Sequence, residues 1–480
     1  MEEDLIKERK KKIEELKAMG VEPFGRRFVP THSTADIIQK YGEKKFAEGE
    51  ESAEDVSVAG RVVALRGHGK AAFCHLQDRF GKLQIYIRLD IIGEDAFKIY
   101  EKIDIGDFIG VAGTVFRTRT QELTIKVKKL FFLAKALRPL PEKWHGLKDV
   151  ETRFRERYLD LISNPRAREI FSLRTKIVKY IREFLDRDGY TEVETPMLHQ
   201  IAGGAIARPF KTFHNALGID LYLRIAPELH LKRLIVAGME KVYELNRSFR
   251  NEGISTRHNP EFTMLEVYTA YADYNDVMDL AEQIIQYAAE KSLGTKKVIF
   301  NENEINLESP WKRISYYEIL KEFTGREFYK MDEEEARRFA KEKELNIEEC
   351  RSKDDVINQV FEKIVGPELI QPTFVFDYPV SLSPLAKSRY DNPEIVERFE
   401  LFIGGEEIAN AYSELNDPLE QRKRFEQQGG KIDEDFVRAL EHGMPPAGGL
   451  GIGIDRLVMV LANAPSIREV ILFPQLKPEK

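Results

Sequence analysis

Alternation of apolar and polar positions divides the chain into a strand-rich first part and a mixed remainder. From Val56 to Leu133, short alternating runs predict five strands, VSVAGRVVALR, AAFCHLQD, KLQIYIR, DFIGVAGTVF and ELTIKVKKLFFL, with a short helix around Asp95 to Tyr100 after the third. Ahead of them Leu5, Ile6, Ile13, Leu16 and Met19 recur at loosely helical spacing, and Gly20 and Pro23 stop that helix. Its run Lys7, Arg9, Lys10, Lys11, Lys12 reads as a solvated face. Past residue 157 the period changes. In SLRTKIVKYIREFLDRDGYTEVETPML, Ile177, Ile181, Phe184 and Leu185 share one helical face, Gly189 suits a carboxy-terminal cap, and a strand through Val193 stops at Pro196. Proline cannot donate to a further ladder, so this strand suits a sheet edge or a subunit interface. The stretch Tyr243 to Tyr268 then predicts an antiparallel hairpin. One arm carries Tyr243, Leu245, Phe249 and Arg250, a polar loop runs from Asn251 to Pro260, and the other arm carries Phe262, Met264, Leu265 and Val267.

The rest alternates helix and strand. A helix spans about Asn275 to Lys291, charged helical sequence continues to about Ile370, and the strand TFVFDYPV follows. FELFIGGEEIANAYSELND sets Glu400, Glu407, Asn410, Tyr412 and Glu414 at alternating positions of a strand pair. The last element, GGLGIGIDRLVMVL, is a glycine strand entering a helix whose first turn holds Asp455 and Arg456. These divisions give an α+β chain. Residues 1–50 form an amino-terminal helical extension, 51–137 a five-stranded unit and 138–156 a linker containing Pro139 and Pro141. Residues 157–480 form a larger domain with a helical insertion at about 292–370. Five strands with a helix after the third is the order of an OB barrel, which commonly offers its strand 2 to 3 face to single-stranded nucleic acid. There Phe73 and Gln84 could stack on and hydrogen-bond a base, with Arg66 and Glu122 nearby. A barrel-core role for Phe73 stands equally open on the pattern alone.

Composition narrows the classes. The two cysteines, Cys74 and Cys350, are far apart without CxxC spacing, so neither a disulfide framework nor a cysteine zinc site is indicated, and a reducing cytoplasm fits. No run is apolar for long enough to cross a bilayer. A formal net charge of −7 argues against indiscriminate coating of nucleic acid, though not against local basic patches. GLGIGI lacks the spacing and the following helix, strand and acid of a dinucleotide fingerprint, and no GxxxxGK[ST] occurs. The 243–268 hairpin concentrates guanidinium groups, an aromatic face and carboxylates, the set a bound nucleotide needs for phosphates, base and hydroxyls or magnesium.

Helix–strand–Pro196, the FRNE hairpin and the GIGIDR strand–helix together resemble motifs 1, 2 and 3 of the class II aminoacyl-tRNA synthetases. With an OB domain ahead of them they resemble subclass IIb, and RIAPELHLKRL, RNEGISTRHNPEFTMLEVY, GGEEIANAYSELND and ALEHGMPPAGGLGIGIDR are most similar to the lysyl members. The resemblance spans nearly the whole chain in order. It implies an OB-fold anticodon-binding barrel, a catalytic domain on a six-stranded antiparallel sheet flanked by helices, and a homodimer formed through motif 1. Phe73, Arg66, Gln84 and Glu122 match anticodon-reading positions, which favours base stacking for Phe73. Arg250 and Arg456 match the catalytic arginines. The ATP-binding set is Arg250, Glu252, Arg257, His258, Phe262, Glu400 and Arg456, with Phe262 against adenine, and Glu400 and Glu407 match Mg²⁺ ligands. Gly204, Glu228, Arg250, Glu266, Tyr268, Asn410, Tyr412 and Glu414 match the lysine-binding positions.

What the resemblance implies chemically is ATP-dependent activation of lysine to an adenylate with release of pyrophosphate, then transfer to the 3′-terminal adenosine of tRNA. The acidic residues at the side-chain end of the pocket point to lysine over aspartate or asparagine, which would want cations there. Two alternatives remain: a synthetase-like protein that binds tRNA without aminoacylating it, and a subclass IIb enzyme for aspartate or asparagine. Ala409, Ala411 and Tyr412 stand where many bacterial relatives have glycines and Phe.

Overall fold

The computed structural model describes residues 2–47, 49–141, 149–205, 207–429 and 431–479. The chain divides into two compact units, 1–147 and 148–480. Positions 142–148 of the expected linker lie outside the described residues.

In the first unit, five strands close into a barrel in the order β1–β2–β3–β5–β4: β1 Val56–His68, β2 Ala71–Gln77, β3 Lys82–Arg88, β4 Phe108–Arg117 and β5 Leu123–Ala134. Closure uses one parallel pair, β3 with β5, and leaves no free sheet edge. Inward-facing Val58, Val62, Cys74, Leu76, Ile85, Ile109, Val111 and Ile125 fill the interior. The helix Glu2–Ala18 adds Leu16 to that core. Its basic run is only partly a solvated face. Arg9 is buried and donates to the carbonyls of Ile105, Ala136 and Arg138 at 2.9–3.1 Å, while Lys12 pairs with Asp104 at 2.7 Å. The barrel's closing segment leaves carbonyls that need donors, and a long guanidinium can reach them where the periodicity of one helix reveals nothing of it.

The second unit is built on an eight-stranded sheet. Its strands, taken in chain order with those of two small sheets, are β6 Thr191–Glu192, β7 Leu198–His199, β8 Lys211–His214, β9 Ile219–Leu223, β10 Lys241–Phe249 and β11 Glu261–Ala270, followed by β12 Lys297–Phe300, β13 Asn303–Asn306, β14 Lys312–Ser315, β15 Thr373–Pro379, β16 Ile395–Ile403, β17 Glu406–Ser413 and β18 Ala447–Gly453. The large sheet runs β14–β15–β16–β17–β18–β11–β10–β6. Its six central strands are antiparallel to their neighbours, as expected, and a short parallel strand is added at each edge, β14 beside β15 and β6 beside β10. The strand before Pro196 is therefore an edge strand.

One sheet face is covered by helices. Pro165–Arg187 starts with Asn164 capping and Pro165 in the first turn, and buries Ile170, Ile177, Ile181 and Leu185; Tyr274–Leu293 and Ile454–Leu461 complete the layer. Each such aliphatic side chain contributes roughly 1.5–3 kcal/mol by leaving water. The stretch 292–370 is not wholly helical, because β12, β13 and β14 fall within it. Runs such as KVIF and KRIS are too short to distinguish strand from helix by periodicity, and pairing decides them. Its helices Tyr316–Thr324, Glu333–Glu342 and Lys353–Val360 share a core of Tyr316, Ile319, Phe339, Val356 and Phe361 packed on β15 and β16.

Candidate active site

The uncovered sheet face is built by three adjacent strands. β11 lies against β18 with Glu266 opposite Gly451 and Tyr268 opposite Gly449, while β17 lies on the other side with Asn410 opposite Gly451 and Tyr412 opposite Gly449. Two glycines thus run between two polar pairs, and the intervening Leu450 and Ile452 point into the core. A Cβ at Gly449 would overlap Glu414 Oε1 and come within 2.7 Å of Tyr268, whereas a Cβ at Gly451 would meet nothing closer than 3.6 Å. The first glycine lets neighbours approach; the second leaves a bare floor.

Two cavities share this floor. One, about 260 Å³, is lined by Arg250, Glu252, Arg257, His258, Phe262, Glu407, Asn410, Gly451 and Arg456. The hairpin β10–β11 supplies its wall. Arg250 stacks its guanidinium over Phe262 at 5.1 Å, and Arg250 Nε is buried with no hydrogen-bond partner among the described residues. A buried donor without an acceptor is costly, so this group is suited to an anionic ligand. The polar loop is ordered by Ser255, whose hydroxyl accepts from the amides of Arg257 and His258 at 3.1 and 3.0 Å. Arg257 pairs with Glu406 at 2.8 Å, and Arg456 donates to Glu407 Oε2 at 3.1 Å with its other nitrogen 3.2 Å from His258 Nε2. Burial and the Arg456 charge hold the His258 pKa below its usual value, which favours the neutral ring.

Glu400 does not line either cavity wall. It accepts from Tyr378 at 2.9 Å and pairs with Arg398 at 2.5 Å, and burial, offset by Arg398 and reinforced by Glu407, raises its pKa. Glu400 and Glu407 are the only assigned carboxylates for a metal here, and no cluster of three or more His, Cys, Asp or Glu suited to a metal exists among the described residues. Two hard oxygen donors fit a Mg²⁺ that completes its shell with phosphate and water, not a cation held by protein alone.

The second cavity is lined by Gly204, Glu228, Arg250, Glu266, Tyr268, Asn410, Tyr412 and Glu414, so every assigned lysine-binding position is brought together. Gly204 has φ +89°, and a Cβ there would press on Ala226 and Glu228 at 3.3 Å. Glu266 is 6 % exposed and accepts from the Tyr268 hydroxyl at 3.2 Å; burial, then the nearby Glu228 charge, pushes its pKa up to about 8. Burial likewise raises Glu414, against the pull of Lys232. Lys232 Nζ lies 2.5 Å from Glu414 Oε2, a close ion pair between two fully buried groups.

Some participants escaped the sequence reading. Arg398 joins Glu400 to Asn410, accepting neither role by motif alone, with Nε 3.1 Å from Asn410 Oδ1. Lys232 is wholly buried among the pocket acids. Arg174 of the long helix bonds Asp455 at 2.6 Å and Thr263 at 3.0 Å, and Asp455 accepts from the Thr263 amide at 2.7 Å, which fixes the glycine strand's following helix to β11. A single sequence carries no signal for such pairings except that the lysine of ELHLKRL, placed on a helix beside an acidic strand, leaves a cation to be neutralised; for Arg398 the ERFELF alternation places it on the same face as Glu400.

On the barrel, Arg66, Phe73 and Tyr86 form one cross-strand row over β1, β2 and β3. Phe73 is 37 % exposed and stacks on Tyr86 at 4.6 Å, so it is not barrel core. Tyr86 was not anticipated. In the next row His75 faces Gln84 and binds Glu122 at 3.0 Å, while Gln84 is almost fully covered at 6 % exposure. Phe73 and Arg66 are open to a ligand; Gln84 is not.

Comparison with known proteins accords with both units. Residues 149–477 match the model for class II tRNA synthetases (D, K and N), and residues 56–133 match that for the OB-fold nucleic acid binding domain. A lysine–tRNA ligase of Moorella thermoacetica is 54 % identical over 490 residues, covering 100 % of this chain and 99 % of its own. Those of Carboxydothermus hydrogenoformans and Bacillus subtilis are 55 % and 53 % identical, covering 99 % of this chain and 98 % and 97 % of theirs. With its sheet, its motif arginines and its barrel in the same order, the chain belongs to the class II tRNA synthetases of the aspartate, lysine and asparagine group.

Proposed function

We propose that the protein is a lysine–tRNA ligase, which activates L-lysine with ATP and passes it to the 3′-terminal adenosine of tRNA. The observation that carries the reading is the pocket of three buried acids, Glu228, Glu266 and Glu414, opening beside the arginine-lined cavity across a shared glycine floor. A cationic side chain satisfies those acids. An aspartate or asparagine side chain brings no cation to this acidic pocket, which disfavours it.

In the first step the lysine carboxylate attacks the α-phosphorus and pyrophosphate leaves; no protein nucleophile is required. Arg250 reaches both the carboxylate and the α-phosphate, because it lines both cavities. It holds the two anions in line and takes the charge that develops on the phosphoryl oxygens. Phe262, already under Arg250, receives the adenine, with Glu252 at its exocyclic amine, and Arg456, Arg257 and His258 border the distal phosphates. Arg456 and Arg257 are paired with Glu407 and Glu406 before ATP arrives. Phosphates draw these guanidiniums over and release Glu407. Glu407 and Glu400 are the residues that would hold Mg²⁺, which when bound would supply charge neutralisation of the triphosphate. Glu228, Asn410 and Gly204 hold the backbone end of lysine, and Glu266, Tyr268, Tyr412 and Glu414 hold its side chain.

Phe73, Tyr86 and Arg66 offer the barrel's stacking face to the anticodon, with Glu122 beside it; Gln84, covered as it is, has no part in that contact. The long helix and edge strand β6 form the homodimer contact. Among the described residues no helix is long and apolar enough to cross a membrane, and both described cysteines are free, in keeping with a cytoplasmic enzyme. Charging of tRNA with labelled lysine tests the whole reading. Lysyl-tRNA accumulating only when ATP and lysine are both present is the expected result; tRNA binding without charging would assign the chain to a non-catalytic relative instead.

A further inference from the structure

Lys232 stands one turn beyond Glu228 on the helix Glu228–Val236 and is wholly buried. Its Nζ lies 2.6 Å from Glu228 Oε1 and 2.5 Å from Glu414 Oε2, so one ammonium bridges acids carried by a helix and by the end of β17. Burial alone would drag a lysine toward neutrality, but the two carboxylates outweigh it and raise the Lys232 pKa, so the group stays a cation. Glu414 is further held by the missing Cβ of Gly449, whose place its Oε1 occupies.

In the reading above, Glu228 serves the backbone end of the substrate and Glu414 its side-chain end. We propose that Lys232 is a positioning residue that fixes the span between these two carboxylates, and thereby matches the pocket to a diamino acid of lysine's length. The inference rests on the lysine reading, and the charges agree with it. Glu228 and Glu414 share the single ammonium of Lys232, two carboxylates to one cation, in a pocket for a substrate whose two ammonium groups and one carboxylate sum to one positive charge. Without Lys232 the two carboxylates lose their shared cation, and Glu228 and Glu414 retain a proton between them that lysine must displace. Arg224, Glu244, Tyr268 and Tyr412 also lie within electrostatic reach of these acids and are unaltered by that change.

Lys232→Met keeps the length of the side chain and removes its charge. Amino-acid-dependent exchange of pyrophosphate into ATP, measured with lysine and with ornithine, tests the proposal. The expected result is a lysine KM raised at least about tenfold near neutral pH with the ATP KM within about twofold, a steeper fall of lysine KM toward about pH 8.5 than in the unaltered enzyme, and a narrowed preference for lysine over ornithine. An unchanged lysine KM and preference, or equal losses for ATP and lysine, overturns it. Should the variant not fold, the unaltered enzyme decides: a fixed span demands that ornithine be used at least about 100-fold less efficiently than lysine, and use within about tenfold overturns the proposal. An unaltered enzyme that gives no exchange with lysine contradicts the functional reading itself, a separate outcome from either of these.

Discussion

Arg250 lines both cavities, and its buried Nε, without a hydrogen-bond partner among the described residues, suits a group that receives an anion. Arg250→Ala should lower lysine-dependent pyrophosphate exchange by about 100- to 1,000-fold, comparable to losing one preorganised transition-state donor. A rate near that of the unaltered enzyme would remove Arg250 from the chemistry. Glu266 makes a second prediction. Its carboxyl titrates near 8 in the fold against an ordinary value of 4.5, so the native state binds its proton more tightly than the unfolded chain does. That contribution to stability is full below about pH 4.5 and declines as pH rises toward 8. Lysine, whose ammonium favours the ionised carboxyl, should therefore raise the melting temperature more at pH 8 than at pH 6, and Glu266→Gln should flatten that difference; an equal shift at both pH values would count against Glu266 in the lysine pocket. The residues that line the two cavities were legible because arginine and acid stand at fixed places in the strands of the motifs this chain resembles. Lys232, Arg398 and Tyr86 were not, since each acquires its part from a partner on another element: Lys232 from Glu414, Arg398 from Asn410, Tyr86 from Phe73.

Among the elements, β18 explains most with fewest side chains. GGLGIGI reads ambiguously in sequence, and what resolves it is its place between β17 and β11, which turns alternate glycines toward the pocket. The two glycines separate packing from binding. Gly449→Ala forces Glu414 and Tyr268 aside and should lower both the melting temperature and lysine use. Gly451→Ala meets only ordinary contacts, so it should keep the melting temperature yet lose about tenfold or more in kcat/KM for adenylation, because its methyl occupies ligand space. Equal destabilisation by the two variants, in thermal melts, would show that β18 is a packing strand alone. The same contrast explains the misjudged stretches. The 243–268 hairpin was legible because nine consecutive register pairs follow its alternation. The block at 292–370 was not, since β14 owes its state to a parallel partner 61 residues later, as Ile314 facing Val375 illustrates.

For the whole molecule, the order of a barrel followed by a larger mixed domain was readable from periodicity and linker composition. The six antiparallel central strands came only with the family resemblance, and the two parallel edges only with the structure. The chain divides into two compact units, and on the proposed function the first recognises tRNA while the second forms the adenylate. Phe73→Ala should therefore raise the KM for tRNA, by a base-stacking loss of about 1–3 kcal/mol, while leaving pyrophosphate exchange nearly unchanged; equal losses in the two assays would deny the barrel a distinct role. Beneath all of this lies one claim, that the buried acids select lysine. It is tested most directly by pyrophosphate exchange into ATP with lysine, aspartate and asparagine supplied separately to the unaltered protein: the account predicts exchange with lysine and none above background with the other two, and exchange driven by aspartate or asparagine instead would contradict it.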